Sequence, residues 1–370
     1  SSNTVNTILK DRFGLLWFGT DDGLDKFDGT SFKVYRHKSG DSTSLQANEI
    51  LALHEDRAGN LWVGTSGGSL SLYDRKKDAF INFPAGNRAG SISNNVIKAL
   101  CSDHRGNIWV IHYGGFNVLD PRTGRIINIP LTPAVEQMIR SSHGHVAFED
   151  SRRRMWVGLS NGLLQYDAAT GIIKQTWYSG RDSSIPANAV NAIAEDKQGN
   201  VWVGGNTGLG VYKPGAAGLV SYPVKTGNGK AVSNFVVNAI AVEEDKLWLA
   251  TTTGLYILNT NKEIASQYSF DYRNSHSLSA QSVRSLYLDN QGICWIGVFG
   301  GGVNKFDSNL NLFNSVTSNV FDENGLRASY ITSFAEDRNG HVFVGTGGGL
   351  SLFNPRTRLF EGFDIKPATA

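Results

Sequence analysis

Ile50-Leu51-Ala52-Leu53-His54-Glu55-Asp56-Arg57-Ala58-Gly59-Asn60-Leu61-Trp62-Val63-Gly64-Thr65-Ser66-Gly67-Gly68-Ser69-Leu70-Ser71-Leu72-Tyr73-Asp74 reads as three short strands joined by two tight turns. Ile50 to Asp56 alternates as a half-buried strand should. Asp56 to Asn60 is a turn, because an Asp side chain can bond its own backbone and Gly59 accepts a positive φ. Leu61 to Thr65 is the second strand, Ser66 to Ser69 turns the chain, and Leu70 to Asp74 is the third. Ala79-Phe80-Ile81-Asn82-Phe83 supplies a fourth strand, and a longer polar link follows.

The unit recurs along the whole chain. Trp17, Trp62, Trp109, Trp156, Trp202, Trp248 and Trp295 mark it, and Phe343 takes the eighth slot, with spacings of 45 to 48 residues. Trp177 is the one tryptophan outside the series. Four short strands per unit make an antiparallel sheet with two apolar faces, which it cannot bury alone. A period near 45 therefore predicts an all-β propeller, each blade packed on its neighbours. No segment carries a 3.6-residue apolar stripe, so almost no helix is expected. The pairs Gly19/Gly23, Gly64/Gly68, Gly158/Gly162, Gly204/Gly208 and Gly297/Gly301 belong where blades approach one another near the axis. The favoured expectation is one domain, 1–370, of eight blades closing on each other; the alternative is a ring of seven with an extra blade.

Composition excludes several classes of function. A net charge of +2, from 35 basic and 33 acidic residues, implies no nucleic-acid partner. No run of 18 apolar residues is present to span a membrane. Cys101 and Cys294 fall in the third and seventh repeats, too far apart to pair. The opening Ser1-Ser2-Asn3-Thr4-Val5 runs directly into a strand, as expected of a piece cut from a longer protein. Gly300-Gly301-Gly302 and Gly347-Gly348-Gly349 are not phosphate cradles, since no helix and no Lys-Ser/Thr pair follows. No cofactor is called for by any motif.

The repeat pattern resembles the two-component regulator propeller repeat. It stands here as Val5 to Asp28, ending Asp21-Asp22-Gly23-Leu24-Asp25-Lys26-Phe27-Asp28, and again from Val190 to Gly204. The resemblance covers essentially the whole chain. It implies a periplasmic sensor region of a bacterial membrane protein, with a histidine kinase (often a hybrid two-component system) or a diguanylate cyclase as output. Hybrid systems of gut bacteria in this family detect glycan fragments. The family's usual form is two seven-bladed propellers followed by a small β-sandwich. This sequence holds one set of eight repeats and neither a kinase nor a cyclase motif.

If the consensus positions are scaffold, function belongs where a copy departs from them on the loop face. The third repeat places Ile111-His112-Tyr113 where others have Gly-Thr; His112 and Tyr113 could stack on and hydrogen-bond a sugar ring. At the same place the fifth repeat has Asn206 and the seventh Phe299. The links supply Tyr178 and Arg181, from Trp177-Tyr178-Ser179-Gly180-Arg181-Asp182, and Tyr272 and Arg273. Trp177 itself reads as the buried end of a strand.

Other groups read as scaffold or solvated surface. His143 and His145 lack a third ligand for a metal site. Arg152-Arg153-Arg154 replaces a turn glycine and reads as a solvated turn. Asp11, Asp56, Asp103, Asp150, Asp196, Asp289 and Asp337 sit one per blade and cannot converge on a site. Loop-face acids (mainly Asp21, Asp22, Asp182 and Asp271) are spread over separate blades, so a glycosidase carboxylate pair is not expected. The leading expectation is a non-enzymatic sensor binding an oligosaccharide or small solute at the propeller mouth. Further sensor and output domains of the parent receptor, and a second copy in a homodimer, are its other expected partners. The main alternative is a protein-interaction scaffold.

Overall fold

The structure is a computed structural model. It describes residues 1–363 apart from 87–89, 128, 168–169, 179–188, 217, 228, 233–234, 275, 290, 308–324, 355–356 and 358. The chain divides into two compact units, Ser1–Asp307 and Ser308–Ala370, where one domain was expected.

The second repeat folds as its pattern requires, into strands Ile50–Glu55, Leu61–Thr65, Leu70–Asp74 and Ala79–Phe83, paired in that order. Each repeat makes such an antiparallel sheet; the seventh is described over three strands, Val283–Leu288, Ile293–Val298 and Gly302–Asp307. The turn aspartate does more than shape its turn. Asp56 Oδ1 accepts the backbone N–H groups of Ala58 and Asn60, while Oδ2 accepts the indole N–H of Trp62 at 2.9 Å. Asp11, Asp103, Asp150 and Asp196 hold Trp17, Trp109, Trp156 and Trp202 in the same way. The one polar atom of each large buried ring is thereby satisfied.

In the first unit, seven sheets form a closed ring. The inner strands Val5–Lys10, Ile50–Glu55, Ile97–Ser102, Gly144–Glu149, Val190–Glu195, Val237–Glu243 and Val283–Leu288 pack each on the next. The last packs back on the first. At that seam the Phe18 ring meets Trp295 edge-on at 6.1 Å, Lys10 Nζ lies 3.3 Å from Asp289, and the Gly302 N–H donates to the Asn3 carbonyl. All eight blades exist as the repeat count demands, but of the two closures the sequence allows, the contacts realise the ring of seven with one further sheet. That eighth sheet, in the second unit, has its own small core of Leu326, Val344 and Phe360.

Close approach between blades follows one steric rule. A Cβ added to Gly19 would lie 2.7 Å from Ile50 Cγ2, one on Gly64 2.6 Å from Ile97, and one on Gly204 2.5 Å from Val237. In these blades the glycine after the Trp-X pair thus accepts the first, β-branched residue of the next inner strand, and blade 6 has the small Ala250 at that place. Gly297 accepts Val5 and so closes the ring. Blade 3 breaks the pattern with Ile111, and blade 4 answers with glycine: a Cβ on Gly144 would meet Ile111 Cγ2 at 2.5 Å. Large and small have exchanged places across one interface, which keeps its volume filled.

Among the described residues there is one helix, Pro133–Arg140, in the link between blades 3 and 4. Thr132 caps it, Pro133 occupies its first turn, and Val135, Met138 and Ile139 are buried. The spacing of those three is a helical stripe, one turn too short to stand out from the repeat pattern.

Candidate functional site

Every inner strand carries a β-bulge at its second residue. Pairing runs from Val5↔Thr20 to Thr7↔Gly19, leaving Asn6 unpaired, and the shift recurs identically in each sheet. The bulged residues around the ring are Asn6, Leu51, Lys98, His145, Asn191, Asn238 and Arg284. A bulge re-aims its side chain, here at the loop-face end of the innermost strands, around the channel. Beside each stands the first residue after the second strand: Asp21, Ser66, Tyr113, Ser160, Asn206, Thr252 and Phe299. From Ser66 onward these residues anchor their own N–H on the carbonyl just before or one residue before the inner strand, as in Tyr113 to Val96 and Phe299 to Ser282. The mouth is therefore two rings of side chains on an unvarying backbone.

Contacts link the two rings. Asn6 Nδ2 donates to Asp21 Oδ1 at 2.8 Å and to the Ile50 carbonyl of the next blade. Asn191 Nδ2 donates to Asn206 Oδ1 at 3.0 Å and to the Val237 carbonyl, and its own Oδ1 lies 3.0 Å from His145 Nδ1. Lys98 Nζ lies 5.3 Å from the centre of the Tyr113 ring, and the Arg284 guanidinium 4.7 Å from that of Phe299. The His143 ring stands 4.4 Å from Tyr113. Burial pulls the pKa of His145 below its usual value, with help from nearby Lys98 and His143 and against the hydrogen bond that His145 donates to Asn191 Oδ1.

The residues expected at the site fall into three groups. Tyr113, Asn206 and Phe299 lie at the mouth, and Tyr113 and Phe299 are 36% and 51% exposed. His112 is only 2% exposed, its ring held between the Tyr113 carbonyl and Asn117 Oδ1. Burial depresses its pKa despite both bonds. It borders a cavity of about 190 Å³ walled by Phe116, Leu131 and Ile139, below the size of an ordinary ligand site. His112 is thus a buried strut rather than a contact. Tyr272 and Arg273 are an exposed pair on the link to blade 7, the guanidinium Nε 3.0 Å from the phenol oxygen. Tyr178 ends the strand Ile172–Tyr178, but its side chain and Arg181 lie outside the described residues. Trp177 is buried and stacked on Trp156, as expected of a strand end.

Lys98, Arg284 and Asn191 were not singled out by sequence, and His145 was weighed only as a metal ligand. Their signal is positional: the second residue of the inner strand is Asn, Leu, Lys, His or Arg, whereas the first is Val or Ile in every blade but the fourth. Two other groups resolve as scaffold. Arg153 takes a φ of 63° in the place of the usual turn glycine, and Arg154 bonds Asp150 at 2.6 Å beneath Trp156. No group of three or more potential metal ligands occurs among the described residues.

A family model described as two component regulator propeller matches residues 1–22, 44–67, 91–114, 184–207, 277–300 and 325–348. Each match ends at or beside a mouth turn. A solved structure described as the extracellular domain of the hybrid two component system BT3049 from B. thetaiotaomicron is 25% identical, with a TM-score of 0.69. That likeness covers 99% of this chain and 53% of the other. PorZ, a surface component of the type-IX secretion system of Porphyromonas gingivalis, shares the fold at 16% identity, with a TM-score of 0.66 over 98% of this chain and 59% of its own. A 45-residue stretch is 53% identical to Histidine kinase P4 of Formosa agariphila, over 12% of this chain and 3% of that protein. The chain thus spans about half of the solved domain and a small part of the kinase.

Proposed function

Because this chain is built from repeats of the two-component regulator propeller family, we propose that it is the ligand-sensing part of a bacterial signal-transduction receptor. It sits in the periplasm and binds a carbohydrate or other small solute at the propeller mouth. The observation that carries this reading is the contrast between scaffold and mouth. The tryptophans, turn aspartates and interface glycines repeat from blade to blade, whereas the turn position changes between most blades and the bulge position, Asn in three blades, is Leu, Lys, His or Arg in the other four. Variation confined to one end of a rigid ring is how a common fold acquires a particular ligand. Aromatic faces at Tyr113 and Phe299, amides at Asn191 and Asn206 and the imidazole of His143 suit a sugar.

The reading is binding without turnover. Acid–base cleavage of a glycosidic bond uses two carboxyl groups about 5–9.5 Å apart. Of the bulge and turn residues, Asp21 alone is acidic, and Asn6 holds it. The parent receptor would add output domains and work as a pair of copies. A protein-interaction role is favoured by one feature, the exposed Tyr330 and Phe334 of the eighth sheet.

Calorimetric titration of the chain with a panel of oligosaccharides tests the proposal. Binding of at least one, weakened at least tenfold by Tyr113→Ala with an unchanged melting temperature, is expected. Absence of heat with every saccharide and small solute would overturn it.

A further inference from the structure

Two blades use the same pair of mouth positions in the same way. Lys98 and Tyr113 in blade 3, and Arg284 and Phe299 in blade 7, each place a bulged cation across the ring of the neighbouring turn aromatic, at 5.3 and 4.7 Å. The pairs stand on opposite sides of the ring, with blades 4, 5 and 6 between them one way and blades 1 and 2 the other. Elsewhere on the chain, cations such as Lys10, Arg36, Arg75 and Arg154 meet carboxylates. Among the described residues, neither Lys98 nor Arg284 has a carboxylate within 4.0 Å. Asp21, the one acid of the two rings, is engaged by Asn6.

The mouth is therefore left with two uncompensated positive charges, each backed by an accessible aromatic face. An aromatic ring packs on the C–H face of a pyranose, and a cation beside it pairs with an oxyanion carried by the same sugar. A neutral glycan would cover both cations without offering a counter-charge, which penalises it. Resting on the sensing function proposed above, we infer that the ligand is an anionic oligosaccharide, its sugars bearing carboxylate or sulfate groups, held by Lys98 and Tyr113 at one side of the mouth and by Arg284 and Phe299 at the other.

The test is titration calorimetry on the whole chain at about 50 and about 300 mM salt, where charges are screened over roughly 14 and roughly 6 Å. The probes are tetragalacturonate, a sulfated disaccharide, neutral cellotetraose and sodium sulfate. One of the two charged saccharides should bind at least tenfold more tightly than cellotetraose and lose affinity at the higher salt; which one binds identifies the oxyanion. Lys98→Met and Arg284→Met should each weaken it about tenfold without moving the melting temperature, and Tyr113→Leu should weaken it while preserving the salt dependence. Cellotetraose binding as tightly as the charged probes, or variants binding like the parent, would overturn the anionic ligand and leave the sensing function standing. Sodium sulfate matching the sulfated disaccharide would show an adventitious ion only and overturn it too. No heat with any saccharide would remove both.

Discussion

Individual residues in this chain divide cleanly by what they are bonded to. Asp56 is shielded from water, which alone would raise its pKa, yet hydrogen bonds from Trp62, Asn60 and Ala58 bring it below the usual carboxylate value. Asp289 shows the same balance, with the Ile293 and Gln291 amides and Lys10 as donors. A carboxylate whose folded pKa lies below its unfolded value stabilises the fold fully above the unfolded value, near about 3.9, and loses that contribution as pH falls through the folded one. The melting temperature should therefore change little from these groups between about pH 5 and 7, then fall once pH drops below about 4. Asp56→Ala should cost about 1–3 kcal/mol at neutral pH by denaturant titration, because it leaves a buried indole N–H unpaired. It should also flatten part of the acid limb. Cys294 is a residue without a reactive role: burial pushes its thiol up to about 12, and it should resist alkylation until the ring unfolds.

Between elements, the decisive fit is glycine against a β-branched residue of the next inner strand. Gly204→Ile should clash with Val237 and destabilise by about 1–3 kcal/mol, and Val237→Gly should leave a void and cost at least as much. Made together, they reproduce the arrangement of Ile111 and Gly144. The double variant should recover a coupling energy of about 0.5–3 kcal/mol in a double-mutant cycle. Strict additivity of the two losses would show that the exchange between blades 3 and 4 is not steric compensation. The strands and turns were legible because apolar alternation and Asp-x-x-Gly turns are local. The bulges were not: a strand with one extra residue looks the same in sequence as a strand without it, and only the partner's register shows the offset. That offset separates the mouth from the scaffold, so Lys98 and Arg284 escaped notice while buried His112 drew it.

At the scale of the whole molecule, the same repeat position has opposite fates. Ile8, the fourth residue of the first inner strand, is 7% exposed inside the closed ring, whereas Phe334 at the matching place in the eighth sheet is 70% exposed. Ile8→Ala should destabilise the ring by about 2–5 kcal/mol, and Phe334→Ser should stay within about 0.5 kcal/mol. Calorimetric scans of the two variants distinguish these outcomes. Equal losses would mean that the eighth sheet is covered like the others. By itself the sequence determined the blade, the number of blades and the parts of each that are scaffold, since these follow from short-range patterning repeated eight times. It also carried the family resemblance. Only the tertiary structure decided that blade 1 closes on blade 7 and which side chains meet at the mouth. Both depend on the curvature accumulated around the ring and on contacts between residues nearly three hundred positions apart, such as Lys10 and Asp289, which no local pattern encodes.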